Sequence, residues 1–216
     1  MLKNSISHDL KDPAVTISLM AQRILKSGTD LIEKDREYIH SIVKISNEMI
    51  SLIEKVHNYI LVQEKKTDLE NVRISEVYQE LRKHFSSMLE SRKIDWVESG
   101  CSKEVHVDKS AIVRALRNLV SNSIEHGGQG LSRIEVGCTD FDGFDVFYVK
   151  DNGAGLNENC REEVFQPFEQ GTASCKKKGL GLGLSIVKKT AMMHGGNAWF
   201  EPNTEKGVTF HMSVRK

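Results

Sequence analysis

Two apolar series at helical spacing dominate the first 66 residues and constrain the fold more than any other feature. Ile6, Leu10, Ile17, Met20, Ala21, Ile24 and Leu25 make the first series. Lys26-Ser27-Gly28-Thr29-Asp30 interrupts it. Tyr38, Ile39, Ile42, Val43, Ile45, Met49, Ile50, Ile53, Val56, Ile60 and Leu61 make the second. Steps of three and four place side chains on one face of a helix. The spacing therefore predicts two long helices folded back as an antiparallel hairpin that ends near Lys66. Two amphipathic helices bury little by themselves. The stripe, with Ile42, Met49, Ile53 and Val56 in it, is expected to meet a second copy and form a dimeric four-helix bundle. The alternative is that the hairpin packs on the rest of its own chain.

Glu64-Lys65-Lys66-Thr67-Asp68 is polar and reads as a linker, which divides the chain into domains at 1–66 and 67–216. Beyond the linker the periods alternate. Ile74, Val77, Tyr78, Leu81, Phe85 and Met88 are helical in spacing, and Ile94–Val97 and Val105–Val107 read as short strands. Asp108 is placed to cap a helix that runs to about His126. Strands are expected near 132–139 and 144–150, joined through Asp140-Phe141-Asp142-Gly143. A helix follows the glycines at 179–183 and stops at Gly195-Gly196. Strands at 197–201 and 208–214 close the chain across a Lys206-Gly207 turn. The fold class is α+β: a helical hairpin followed by an α/β sandwich.

Composition excludes several functions. Lys+Arg and Asp+Glu are both 30, so the formal net charge is zero and no electrostatic case exists for a nucleic-acid partner. No run of about 18 apolar residues is present to span a membrane. The start, Met1-Leu2-Lys3-Asn4-Ser5, lacks the apolar core of a signal peptide. Cys101, Cys138, Cys160 and Cys175 have no metal-ligand spacing and read as free thiols of a cytoplasmic protein.

Four local signals follow one another along the chain. The first is His8-Asp9-Leu10-Lys11-Asp12-Pro13 on the first helix. Neutral imidazole is a nucleophile, and Asp9, if it reaches one ring nitrogen, fixes the tautomer and raises the basicity of the other. Pro13 kinks a helix one turn past His8. The seven other histidines read as surface residues. The second signal is Asn118-Leu119-Val120-Ser121-Asn122. Asn118 and Asn122 share a helix face with Arg114 and Glu125, opposite the core-facing Ile112, Leu116, Leu119, Val120 and Ser123. A carboxamide oxygen suits one site of an octahedral Mg²⁺. The third is Asp151-Asn152-Gly153-Ala154-Gly155 after a strand. An aspartate there can accept a hydrogen bond from an exocyclic amine such as that of adenine, and the glycines let the backbone approach a flat ring. The same residues also suit a plain turn. The fourth is Gly179-Leu180-Gly181-Leu182-Gly183-Leu184, which opens a helix and can cradle phosphate. Just upstream, Gly171 to Lys178 is small, polar and basic, as a lid over phosphates would be.

The order His-Asp-x-x-x-Pro, Asn-x-x-x-Asn, Asp-x-Gly-x-Gly, Phe-x-Pro-Phe (Phe165-Gln166-Pro167-Phe168) and Gly-x-Gly-x-Gly resembles the two-component sensor histidine kinases. The resemblance runs from about Ser5 to Val214, and the ordered set is highly specific. It implies a dimerisation and histidine-phosphotransfer hairpin followed by an ATP-binding sandwich of the Bergerat type. By similarity, His8 accepts the phosphoryl group and Asp9 orients it. Asn122 ligates Mg²⁺, and Asn118 and His126 join the ATP-binding residues. Asp151 reads the adenine amine, with Gly153 and Gly155 lining the base pocket. Lys178, Gly179, Gly181 and Gly183 flank the triphosphate. Thr209, in Gly207-Val208-Thr209-Phe210, helps hold an adenine-bound water. The implied product, phosphohistidine, passes its phosphoryl group to an aspartate of a response-regulator receiver domain.

Three departures qualify this picture. Glu125 stands where many members carry lysine, and Lys176 to Lys178 would substitute for it. Asp12 occupies the position, four past the histidine, where many carry threonine or asparagine; a carboxylate facing an anionic phosphoryl group implies weak phosphatase activity. Only seven residues precede His8, so the upstream sensor domain is expected in a longer parent, of a kind that can be membrane-anchored, or in another chain. Two other classes fit parts of the pattern: a nucleotide-regulated scaffold, and a Bergerat-type ATPase. The gyrase and chaperone ATPases place a glutamate where this chain has Asn118, and asparagine cannot act as a base toward water.

Overall fold

The computed structural model describes residues 2–26, 33–64, 67–100, 102–156, 163–166 and 182–216. It comprises two compact units, Met1–Leu61 and Val62–Lys216.

The first unit contains α1 (Leu2–Lys26) and the greater part of α2 (Glu33–Glu64). The two helices pack through small residues. Ala14, Ser18 and Ala21 on α1 and Ser46 on α2 are buried, and the Ser18 hydroxyl donates to Asn47 Oδ1 at 3.3 Å. The large apolar residues of the stripe are not covered by this contact. Ile17, Met20, Ile24, Tyr38, Ile42, Ile45 and Met49 all remain exposed in the single chain. The hairpin thus has a narrow inner seam of small side chains and a wide apolar face that its own helices leave open.

The second unit is a two-layer sandwich. Its order is β1 (Glu70–Arg73), α3 (Ile74–Arg92), β2 (Asp95–Ser99), β3 (Glu104–Val107), α4 (Lys109–His126), β4 (Arg133–Phe141) and β5 (Phe144–Asp151). After a 3₁₀ turn at Glu163–Phe165 come α5 (Gly183–Met193), β6 (Ala198–Pro202) and β7 (Val208–Arg215). The main sheet has the order β2-β4-β5-β7-β6, with β2 parallel to β4 and the other neighbours antiparallel. A separate antiparallel pair joins β1 and β3. One sheet face meets the helices. Ile134 and Val136 of β4, Phe147 and Val149 of β5, and Phe210, Met212 and Val214 of β7 are buried there with Ile112, Leu116, Leu119 and Val120 of α4.

The sheet geometry corrects some sequence expectations. β1 falls between the expected linker at 64–68 and the helical series from Ile74, where no element is expected; it has a single buried residue, Val72, so no alternation marks it. On α3 the buried series ends with Phe85 and Leu89, while Met88 is 43% exposed. A step of four from Phe85 keeps the stripe on the core side. The β4–β5 turn is tighter than expected. Phe141 pairs with Phe144, and only Asp142 (φ 45°) and Gly143 (φ 79°) form the loop, the left-handed pair that a two-residue hairpin requires. Asp108 caps α4 as its position suggests, its carboxylate accepting from Ala111 N at 3.0 Å. Cys138 is a free, buried thiol whose ionisation burial pushes up to about 12, which makes it inert as a nucleophile.

Candidate functional site

The strand β5 delivers Asp151 to the helix-facing side of the sheet. Its carboxylate is buried, at 3% exposure. Ser123 of α4 donates to Oδ2 at 2.7 Å, and the Gly153 amide donates to Oδ1 at 3.0 Å. Two donors leave lone pairs on both oxygens, since an ionised carboxylate offers about four acceptor sites. The group is therefore fixed in direction and still able to accept one more hydrogen bond from a ligand.

The segment after Asp151 is clamped from two sides by main chain. The Ala154 amide donates to Gly127 O at 3.0 Å, just past the end of α4. A Cβ on Gly153 would lie 2.5 Å from Gly127 Cα, so only glycine allows this approach. On the other side, Asn203 Nδ2 donates to Asp151 O at 2.7 Å and to Lys206 O at 3.2 Å. Gly207 (φ 89°) lies so close that a Cβ would reach 1.9 Å from Asp151 O. Gly155 faces the same turn, its Cβ position 3.1 Å from Gly207 O. Asn152 turns away to cap β4: its Oδ1 accepts from the Ser132 and Arg133 amides at 3.0 Å each.

Helices α4 and α5 form the other wall. Asn118 Nδ2 donates to Arg114 O at 2.8 Å, one turn back. Its Oδ1 lies 3.1 Å from the Cβ position of Gly183, so the first residue of α5 rests against Asn118. The α5 N-terminus has no side-chain cap at Leu182, which leaves its first amides without an intrahelical acceptor. Asn122 is half-buried, and its Nδ2 has no hydrogen-bond partner among the described residues. Glu125 and His126 occupy the last turn of α4. Phe165 is buried, and its 3₁₀ turn packs against α5.

Several expected residues stand elsewhere. Thr209 pairs with Lys150 across β7 and β5, and paired residues project to the same sheet face. Lys150 neighbours Asp151 in sequence and faces the opposite way. Thr209 therefore lies on the far side of the sheet from the Asp151 carboxylate, where its hydroxyl donates to Asn203 Oδ1 at 2.6 Å. The proposed water-holding role is corrected on this ground; the residue on the core side is Val208, 4% exposed. Lys178, Gly179 and Gly181 lie outside the described residues. So do the side chains of His8, Asp9 and Asp12, although α1 includes all three positions. Two histidines read as surface residues are not. His194 is 8% exposed, and His211 stacks on Trp199 with ring centroids 5.0 Å apart. Among the described residues no cluster of three or more His, Cys, Asp or Glu could hold a metal, and no helix is long and apolar enough to cross a membrane. Asn203 was invisible in the sequence because Glu201 to Lys206 reads as an ordinary turn.

Comparison with known proteins fits this geometry. A family model described as histidine kinase-, DNA gyrase B- and HSP90-like ATPase matches residues 107–216. Phytochrome-like protein Cph1 from Synechocystis sp. is 27% identical over 209 residues, which cover 96% of this chain and 28% of Cph1. The catalytic domain of histidine kinase ThkA is 30% identical, with a TM-score of 0.60 over 69% of this chain and 96% of that one. Full-length ShkA in complex with AMPPNP shares the fold, at 21% identity and a TM-score of 0.73 over 99% of this chain and 45% of that one. ThkA bound to the response regulator protein TrrA shares it too, at 22% identity and a TM-score of 0.67 over 100% of this chain and 61% of that one. The chain belongs to the histidine kinase-, DNA gyrase B- and HSP90-like ATPase family. Within it, the likeness to ThkA and the ordered motifs make the chain a sensor histidine kinase catalytic core.

Ser123 tests the support of the central carboxylate. Ser123→Ala leaves Asp151 Oδ2 buried without that donor, a loss of about 1–3 kcal/mol. Urea denaturation should show a lower midpoint with an unchanged slope. An unchanged midpoint would mean that the bond adds nothing to the fold.

Proposed function

We propose that the second unit binds MgATP and that His8 takes the γ-phosphoryl group. The observation that carries this reading is the buried Asp151 carboxylate, fixed by Ser123 and Gly153 with acceptor capacity left over. A 6-amino purine meets that geometry, because its exocyclic N–H can donate to an oriented carboxylate. Gly153 and Gly207 bring main chain against the turn after Asp151 with no side chain between. The uncapped first turn of α5, beginning at Gly183, presents amides and the positive helix end to phosphate. Lys178, Gly179 and Gly181 precede that turn in sequence and would complete the cradle.

Asn122 fits a Mg²⁺ ligand. Its carboxamide nitrogen has no partner among the described residues, and a half-turn about Cβ–Cγ exchanges nitrogen for oxygen. Bound there beside Asn118, Mg²⁺ would supply charge neutralisation on the phosphate oxygens. The chain's own groups do the rest. A neutral His8 nitrogen attacks the γ-phosphorus in line; a nitrogen–phosphorus bond forms and the bond to the β,γ-bridging oxygen breaks. ADP leaves with the electron pair. Asp9 would hold the other ring nitrogen's proton. The phosphoramidate then passes its phosphoryl group to a carboxylate of a receiver domain, a partner class that ThkA's complex with TrrA supports. Asn118 in place of a carboxylate base favours transfer to imidazole over hydrolysis. Asp12 would disfavour phosphatase action on the regulator.

The domain roles follow: residues 1–66 for dimerisation and phosphotransfer, residues 67–216 for nucleotide binding, in a cytoplasmic setting. A homodimer is supported by the apolar face of Ile17, Met20, Ile24, Ile42, Ile45 and Met49, which the hairpin itself leaves exposed.

His8→Gln should abolish acid-labile label from radioactive ATP and leave ATP affinity unchanged. Label that persists on this variant would assign the acceptor to another residue. Ile42→Glu would place an unpaired carboxylate in the apolar face at a cost large enough to dissociate a dimer. Light scattering should then find a dimer for the unmutated chain and a monomer for the variant. A monomer in both cases would refute the homodimer.

A further inference from the structure

The end of α5 carries a histidine with both ring nitrogens committed. His194 Nδ1 lies 2.8 Å from Thr190 O. A carbonyl only accepts, so Nδ1 bears the proton and Nε2 is an acceptor. The Asp108 main-chain amide donates to that Nε2 at 3.1 Å. Asp108 is the residue that caps α4, holding Ala111 N at 3.0 Å and the Ser110 hydroxyl at 2.7 Å. Its other carboxylate oxygen accepts from Asp68 N at 3.4 Å. His194 O in turn accepts from Arg215 N of β7 at 2.8 Å. The C-terminal end of α5 is thus tied to the N-terminal end of α4.

The N-terminal end of α5 touches the middle of α4, where a Cβ on Gly183 would lie 3.1 Å from Asn118 Oδ1, a tight contact. The two helices therefore run antiparallel, α5 lying along the N-terminal half of α4 with a close contact at each of its own ends. A helix moves along its axis as a body, because its hydrogen bonds resist internal change. Losing the Asp108 bond removes the polar tie between α5 and α4 at that end, while Arg215 N still holds His194 O, and a small shift of α5 along α4 changes the gap at Gly183.

We propose that His194 is a positioning residue for the phosphate end of the nucleotide site. Through the Asp108 amide it sets how α5 lies along α4, and so the spacing between Asn118, Asn122 and the first turn of α5. The inference rests on the reading that α4 and α5 hold the nucleotide. The adenine end, built from Asp151, Gly153 and Asn203, does not depend on this contact.

His194→Asn keeps an amide where Nδ1 was, so the Thr190 bond can persist, but the side chain is too short to reach Asp108 N. His194→Gln reaches it. Calorimetry with MgATP and with adenosine should show MgATP affinity falling about tenfold in His194→Asn, with adenosine affinity unchanged. His194→Gln should restore MgATP binding. Unchanged MgATP affinity in His194→Asn would overturn the proposal, and so would an equal loss for both ligands, which marks a merely structural residue. An unmutated chain that binds neither ligand would overturn the nucleotide reading itself, a distinct failure. If His194→Asn does not fold, hydrogen exchange of the Asp108 amide in the unmutated chain decides. Exchange should slow with MgATP and not with adenosine, as reciprocal coupling requires; no difference between the two would overturn the proposal.

Discussion

A carboxylate without water must find donors, and this requirement at Asp151 organises the catalytic unit. The group is buried at the last position of β5, where a polar group taken out of water costs free energy unless hydrogen bonds compensate. Ser123 supplies one donor from the helix layer, and Gly153 supplies another from the chain's own next turn. Ser123 can do this only if α4 lies at the right height above the sheet. Gly153 can do it only if the chain bends at once, against the α4 terminus. The close approaches at Gly153 and Gly207 are consequences: a side chain on Gly153 would strike the main chain at Gly127, and one on Gly207 the main chain at Asp151.

From that point the site extends along two helices. Asn118 and Asn122 are carried by α4, the helix whose Ser123 also anchors Asp151, so the proposed base acceptor and the proposed metal and phosphate carboxamides are held by one helix. Helix α5 adds its uncapped amides beside Asn118. Opposite requirements meet in the other unit. There, among the described residues, Ala14, Ser18, Ala21 and Ser46 are buried, small enough for close helix packing, while Ile17, Met20, Ile24, Ile42, Ile45 and Met49 stay exposed. A hairpin built this way cannot satisfy its own hydrophobic face, which is the physical case for a second copy.

Much of this was legible in the sequence, and the residues that were not legible share a cause. Asp108 as a cap and Asp142-Gly143 as a turn depend on local chemistry, so their positions announced them. The burial of Ile112, Leu116, Leu119 and Val120 follows from periodicity alone. β1 could not be seen, because one buried valine makes no pattern and its pairing with β3 is a distant contact. Thr209 entered by resemblance alone, and Val208-Thr209-Phe210-His211 permits either alternation. Only the pairing of Thr209 with Lys150 decides the side. His194 and Asn203 act through main-chain partners far along the chain, at Asp108 and Asp151, and no spacing rule reports such bonds. Met88 was counted in the helical series although Leu89 is the buried residue, because a step of three and a step of four are equally helical.

The central claim is that the Asp151 carboxylate accepts a hydrogen bond from the 6-amino group of a purine. Comparing ATP with inosine triphosphate tests it directly, since the two differ at that group and carry the same triphosphate. An oxygen at position 6 is an acceptor and would face the carboxylate without a proton between them. Calorimetric titration of the unmutated chain with each nucleotide and Mg²⁺ should show inosine triphosphate binding weaker by about a hundredfold, as expected when a buried polar group loses its partner. Equal affinity for the two nucleotides would contradict the account, because it would mean that Asp151 does not read the base.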